Sequence, residues 1–377
     1  MSDTDVLIVG AGPTGLTLAA ALLVHGAHVT LVDRQAEAAN TSRAAAVNAR
    51  TLEVLEGVDV TRRLLKEGIE APRFAIRDGA KALLAVDFSG LPTAHPFTLM
   101  VPQSTTERLL LERVRELGGD VVRPKALATV TEDATGVTAT FDDGDTVRAR
   151  YVVGADGMHS TVRTQAGIGF TGGAYDHSFV LADAHLRGDA PTDEVRLFWA
   201  SEGLTVVAPL PDGAFRIVAP ADDAPEVPSP AFVQHLLDAR GPGGITVTDV
   251  VWGSRFRILH RVADTYRQGR ILLAGDAAHV HSPAGGQGMN LGIQDAIALA
   301  DALAAVLAGE PDTRLDEYAA ARRPVALRVI TLTDRLTRLA TMPPALRPAR
   351  NAALKVLGRL PWVTQALASR LSGLVYR

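Results

Sequence analysis

The sequence has no cysteine among its 377 residues. Disulfides, thiolate zinc sites, iron–sulfur clusters and a thiol nucleophile are therefore excluded together. The absence also fits a reducing compartment. Aromatic residues make up only 5%, which argues against a narrow slot of stacked rings. Charge is nearly balanced at −4, so no global field favours nucleic acid or a membrane. No base-reading motif is present either, and nucleic acid is dropped as a partner. The longest apolar run, 16–24, is too short to span a bilayer. Met1-Ser2-Asp3-Thr4-Asp5 carries no basic segment, so no signal peptide is expected. The expectation is a cytoplasmic protein without stable membrane insertion. No repeat and no low-complexity tract interrupts the chain. Its length suggests two or three structural units.

What is present begins with Val6-Leu7-Ile8-Val9, a continuous apolar run of the kind buried on both faces of a parallel sheet. Glycines follow, then an Ala/Leu-rich helix over 15–24 and a second buried strand, Val29-Thr30-Leu31-Val32, closed by Asp33. This is a βαβ unit. A helix is expected near 48–56. Ser104-Thr105-Thr106-Glu107 reads as a capping box before another helix. Asp142-Asp143-Gly144 marks a hairpin, and Tyr151-Val152-Val153 is a further buried strand. From about 171 to 260 the pattern changes to strand-like runs (195–199, 205–208, 215–218, 246–252) separated by Pro, Gly and Asp. A largely antiparallel sheet inserted into the α/β unit is expected there. A buried strand returns at Arg270-Ile271-Leu272-Leu273-Ala274, and a long helix is expected over 288–307. The segment 335–377 carries only basic charges, eight in all. It reads as a helical tail packed on the body, with membrane-surface or oligomer contact as alternatives.

Gly10-Ala11-Gly12-Pro13-Thr14-Gly15 is G-x-G-x-x-G between strand and helix. Gly10 makes the turn, Gly12 lets backbone approach a pyrophosphate, and Gly15 lets the helix pack on the strand. Free N–H groups at the helix start and its partial positive charge favour the phosphates. Asp33 suits the ribose hydroxyls and repels a 2′-phosphate, so the loop is expected to hold FAD or NAD rather than NADP. His279 and His281 form an H-x-H pair. With no further ligands nearby, no metal is expected and His279 is read as a packing and hydrogen-bonding residue.

Two more motifs lie downstream. Gly154-Ala155-Asp156-Gly157-Met158-His159-Ser160-Thr161-Val162-Arg163 is a turn after a buried strand, with Ser160 placed to cap the next helix. Gly275-Asp276-Ala277-Ala278-His279 continues to Pro283-Ala284-Gly285-Gly286-Gln287-Gly288-Met289-Asn290. With these three motifs in this order, about residues 5–325 resemble the class A flavoprotein monooxygenases, which include p-hydroxybenzoate hydroxylase and the polyketide hydroxylases.

The resemblance implies an α/β fold. A Rossmann-like FAD-binding domain of the p-hydroxybenzoate hydroxylase type would comprise 1–170 and 261–325. A mostly antiparallel substrate sheet would be inserted at 171–260, joined by parts of 70–102. A C-terminal helical segment would occupy 326–377. It also implies tightly but non-covalently bound FAD, with NAD(P)H as a transient co-substrate. Cofactor-binding residues on this basis are Gly10, Gly12, Pro13, Thr14, Gly15, Asp33, Arg34, Arg43, Gln103, Asp156, Asp276, Pro283, Gly286, Gly288, Met289 and Asn290. Asp276 is expected at the ribityl chain, and Pro283 and the Gly288–Asn290 stretch along the isoalloxazine. The helix beginning there would aim its positive end at the flavin edge that turns negative on reduction.

The implied reaction uses NAD(P)H to reduce FAD and O2 to form the C4a-hydroperoxide that hydroxylates an aromatic or polyketide-like small molecule. The protein's part is positioning and exclusion of water. No catalytic side chain is named. Candidate substrate walls are Phe198, Trp199, Pro209, Phe215 and Trp252, with His177, Asp183 and Arg216 as polar neighbours. There is no second G-x-G-x-x-G, in keeping with a family lacking a separate NAD(P)H domain. At this length a thioredoxin-like extra domain is not expected, which points to a compact two-domain member with the basic helical tail; a monomer or homodimer is expected. Two other readings stay open. One is an FAD-dependent reductase or dehydrogenase that does not activate oxygen; the other is a catalytically silent ligand-binding flavoprotein.

Overall fold

The structure, a computed structural model, describes residues 3–37, 44–200, 202–221 and 224–377. The side chains of residues 3, 175–177 and 258 lie outside that description. Arg43 and the His177 side chain are therefore among the residues not described.

Strand Asp3–Val9 is the centre of the first sheet. It pairs in parallel with Val29–Val32 on one side and Thr146–Gly154 on the other. Ile271–Leu273 extends the sheet beyond Thr146–Gly154, and Val121–Val122 extends it beyond Val29–Val32, both in parallel. The strand register places the loops. Val9 lies opposite both Val32 and Gly154, and Gly154 lies opposite Leu273. The carboxyl ends of four strands thus fall level, so the three motif loops that follow Val9, Gly154 and Leu273, and Asp33 after Val32, meet at one edge. The chain also switches direction across the sheet at Asp3–Val9, the kind of point where open α/β sheets bind ligands. Helix Pro13–Val24 and helix Gly288–Leu307 cover the sheet within one large apolar core.

The second sheet runs His279–Val280, Ile245–Ala263, Phe170–Gly188, Ala214–Pro220, Gly203–Pro209, Glu194–Ala200, Arg73–Asp78, Lys81–Asp87. Its pairs are antiparallel apart from Glu194–Ala200 with Arg73–Asp78. So 73–87 pairs into the sheet formed by the insertion. Both faces are covered, because residues alternate across a strand. Behind the sheet, helix Pro230–Arg240 packs Val233 and Leu237 on Phe198, Val207, Phe215 and Ile217. In front, Val195 and Ala208 pack with Ala45, Ala71 and Met100 from a small three-stranded sheet, Ala46–Val47, Thr98–Met100, Ile69–Ala71.

Several expectations need correction. Helix Gln103–Glu116 starts one residue before the supposed capping box, with Pro102 at its N-cap and no side-chain cap. Serine and threonine there sit inside the first turn. Helix Pro230–Arg240, capped by Ser229, was not anticipated after the Pro-rich loop. Helix Thr313–Ala340 runs unbroken through Pro324, so a division at 325 cuts one rod in two. The tail forms helices Arg347–Leu357 and Pro361–Leu371, and its charges are not all in solvent. Arg350 is 5% exposed; its guanidinium lies 4.9 Å from the Trp199 ring and donates to the Trp199 carbonyl at 3.2 Å. Among the described residues one helix, Gly288–Leu307, is long and apolar enough to cross a membrane, and it is a core helix here.

Candidate active site

The glycine loop shows three different environments. A Cβ on Gly10 would lie 2.3 Å from the Ala155 carbonyl oxygen, and one on Gly15 would lie 1.8 Å from the Gly10 carbonyl oxygen. A Cβ on Gly12 would meet nothing within 4 Å. Two glycines are thus consumed by packing, while the middle one faces open space. Helix Pro13–Val24 starts there with no side-chain cap and no acid in its first turn. Its free N–H groups and positive end stay available to an anion. Asp33 braces the loop: its Oδ2 accepts from the Ala11 N–H at 2.7 Å, and its Oδ1 from the Gln35 N–H at 2.8 Å. Each oxygen retains a lone pair for a ribose hydroxyl. Arg34 beside it is exposed.

Asp156 sits across from Gly10. Its Oδ2 accepts from the N–H groups of Thr161 and Val162 at 2.7 and 3.2 Å. Its Oδ1 is buried and has no partner among the described residues. Burial pushes this carboxyl up. Ser160 caps helix Thr161–Gln165 through the Arg163 N–H at 2.9 Å. Arg163 then reaches the third motif: it donates to the carbonyls of Ala277 and Met158 at 2.7 and 2.9 Å and lies 3.8 Å over the Phe170 ring.

Asp276 lies in the turn Gly275–Ala277, just past strand Ile271–Leu273. It is the one exposed residue in the otherwise buried stretch 271–280. The turn is seated on the first loop, since a Cβ on Gly275 would approach Thr14 Oγ1 to 2.4 Å. Beyond it, Pro283 is exposed and Gly286, Gly288 and Met289 are half-buried. Helix Gly288–Leu307 begins without a side-chain cap or an acid in its first turn. Asn290, 1% exposed, ties the loop together. Its Nδ2 donates to the carbonyls of Gly286 and Ala46, both at 2.7 Å, and its Oδ1 accepts from the Asn48 N–H at 2.8 Å. Gln287 donates to the Leu371 carbonyl at 3.0 Å, so the tail also holds this loop. Gln103 does the same for the segment after Arg43: its Oε1 accepts from the Ala44 N–H at 3.2 Å and its Nε2 donates to Glu107 at 2.8 Å.

An uncapped helix start, an open face at Gly12, an orphaned carboxylate oxygen on Asp156 and an exposed Asp276 thus line one edge. This donor and acceptor set fits a dinucleotide flavin, with phosphates at the N–H groups and hydroxyls at the carboxylates. The model of the family described as FAD binding domain matches residues 3–333. The chain belongs to the class A flavin monooxygenases. Rifampicin monooxygenase of Streptomyces venezuelae is 39% identical over 92% of this chain and 74% of its own length. The 12-dehydrotetracycline 5-monooxygenase/anhydrotetracycline 6-monooxygenase of Streptomyces rimosus is 38% identical over 99% and 77%. The crystal structure of p-nitrophenol 4-monooxygenase PnpA from Pseudomonas putida superposes with a TM-score of 0.87 at 26% identity, covering 99% of both chains. As a class A monooxygenase, the chain is an FAD-dependent enzyme with NAD(P)H as co-substrate.

The substrate-wall candidates divide by face. Phe198 and Phe215 pack beneath helix Pro230–Arg240, and Pro209, paired with Phe215, shares that back face. Trp199 lies under the tail at Arg350. Trp252 pairs with Asp183, Asp183 with Arg216 and Arg216 with Ala208, so Trp252 shares the front face with Ala208. Asp183 and Arg216 form a two-pronged ion pair at 2.8 and 2.7 Å.

Asn48, Gln287, Arg163 and the acid Asp295 went unmarked in the sequence as site residues. Asp295 had a signal: a lone charge flanked by Leu291 and Leu299 on the apolar face of its helix.

Gly12→Val is expected to keep the apo-protein's melting temperature within about 5 °C and to abolish FAD retention, whereas Gly15→Val prevents folding; circular dichroism and flavin fluorescence read both. His281 is held neutral, its pKa pushed down to about 4 by burial. The unfolded chain therefore binds this proton first, and stability falls as pH drops from the ordinary value of 6.5 towards 4. His281→Gln flattens that part of a urea-unfolding pH profile.

Proposed function

We propose that this chain hydroxylates a large fused-ring, polyketide-like aromatic compound. The observation that carries the reading is the meeting of three loops at level strand ends, beside a sheet whose front face presents Trp252 next to the Asp183–Arg216 ion pair. The similarity to rifampicin and tetracycline monooxygenases supports the substrate class. On this reading the N–H groups around Gly12 and Thr14 hold the pyrophosphate, with Pro13, which carries no N–H, setting the helix start. Asp33 takes the adenosine ribose, with Arg34 and Arg43 near the phosphates, and Gln103 steadies the Arg43 segment. Asp156 and Asp276 accept from hydroxyls along the cofactor. Pro283, Gly286, Gly288 and Met289 border the ring, and Asn290 fixes their loop. The substrate lies against the front face, with Trp252 the best placed of the five candidate wall residues. Phe198, Pro209 and Phe215 are core residues of the back face.

Bound FAD supplies hydride acceptance and oxygen transfer. The protein orients the ring against the substrate and keeps water out. A phenolic substrate provides its own nucleophilic carbon, so no side-chain base is assigned. The place of action on this reading is the cytoplasm, where NAD(P)H is available, and the enzyme works as a monomer or homodimer.

The purified holoenzyme is tested with NAD(P)H, 18O2 and a panel of polycyclic phenols. Product gaining one labelled oxygen, with oxygen uptake matched to NAD(P)H oxidation, is expected. Aromatic-independent NAD(P)H oxidation without labelled product would favour a reductase. Asp276→Ala weakens FAD binding by roughly tenfold or more, the loss expected when a hydrogen bond to a charged group goes; fluorescence titration checks it.

A further inference from the structure

Beneath the Asp276 turn lies a buried charged cluster that none of the assigned cofactor contacts uses. Asp295, on helix Gly288–Leu307, is 1% exposed. Its Oδ2 accepts from His279 Nε2 at 2.6 Å and from the Gly275 N–H at 3.3 Å. Its Oδ1 accepts from Arg322 Nε at 2.6 Å. His279 is fully buried and Arg322 nearly so. Burial raises the Asp295 carboxyl, but Arg322 and His279 outweigh it and hold it below the ordinary carboxylate range. Tyr266 stacks on His279 with ring centres 6.1 Å apart, and Tyr318 donates to the Leu273 carbonyl at 2.8 Å.

Stability is a poor account of such a cluster. Buried ion pairs often contribute no more than apolar residues of equal volume. Nor are its polar atoms all satisfied: His279 Nδ1, Arg322 Nη2 and the Tyr266 hydroxyl are buried without partners among the described residues. A partly satisfied network costs free energy. What it does achieve is geometric. The turn Gly275–Ala277 is gripped at its first N–H by Asp295 and at its last carbonyl by Arg163. Between the two grips stands Asp276, the only exposed side chain of the stretch.

We propose that Asp295, locked by His279 and Arg322, is a positioning residue that sets the height and angle at which Asp276 meets the flavin, and so sets FAD affinity. The inference rests on the reading of Asp276 as a cofactor ligand. It makes helix Thr313–Ala340, which carries Arg322, part of the cofactor site without touching the cofactor.

The test uses apo-protein prepared from the holoenzyme and titrated with FAD, with melting measured on the same samples. Asp295→Asn combined with Arg322→Gln removes both charges together. Its FAD dissociation constant is expected to rise by roughly 10–100-fold, as for other supports of a binding group, with an altered visible spectrum of the bound flavin. Arg322→Lys, which keeps the charge opposite Asp295 where Arg322 makes a single Nε contact, should stay within about threefold of the parent. Should the double variant fail to fold, His279→Leu leaves the Asp295–Arg322 pair in place, and the same directional loss is expected. Unchanged FAD affinity in a folded double variant, or in His279→Leu where the double variant does not fold, overturns the proposal. Unchanged affinity in Asp276→Ala instead overturns the cofactor reading beneath it, so the two failures are distinguishable.

Discussion

Backbone closes on the Thr14 side chain where the first loop, the Gly275–Ala277 turn and helix Gly288–Leu307 meet, and the site depends on that closeness. Side chains placed on Gly275 or Gly292 would both approach Thr14 Oγ1 to 2.4 Å. One threonine is thus enclosed by two positions that admit no Cβ. Gly10 and Gly15 repeat the arrangement on the other side of the loop. The strand register brings the three segments level, and the glycines let them touch. Hydrogen bonds then lock the contact from below, through Asp295, and from the side, through Arg163. Once packing has been satisfied, the face at Gly12 stays open and the Asp276 side chain stays exposed.

Much of this was legible in the sequence because the signals are local. A β-branched run followed by G-x-G-x-x-G and a second run ending at Asp33 specifies strand, turn, helix and strand within about thirty residues. The long helix over 288–307 was likewise marked by its Gly-rich start and apolar length. What was not legible depends on partners far away in the chain. Ser104 looks like a cap because the local pattern is right, yet the helix begins at Gln103, whose side chain and backbone are engaged with Ala44. Arg350 looks like a solvated charge of a basic tail until Trp199, 151 residues away, covers it.

The substrate sheet shows the same limit in another form. A strand with one wet face announces its buried side by alternation. Here helix Pro230–Arg240 closes one face and the small sheet closes the other, so both sets of residues are apolar. Phe198 and Trp199 are neighbours in sequence and must point opposite ways. The different packing partners of the two sets, with the pairing of Asp183 with Arg216 and Trp252, distinguish front from back.

Helix Thr313–Ala340 behaves as a ruler. Arg322, in its first half, binds Asp295 below the Gly275–Ala277 turn, and Thr337, near its C-terminal end, binds Ser282 Oγ at 2.7 Å beside the loop that leads to helix Gly288–Leu307. Fifteen residues separate them, about 22 Å at the rise of an α-helix. Gaining or losing one residue between these anchors would swing one of them about 100° round the axis, and only one loop could stay attached. The chain can therefore change length cheaply in its surface turns but not along this rod, where spacing in residues is spacing between the two loops it anchors.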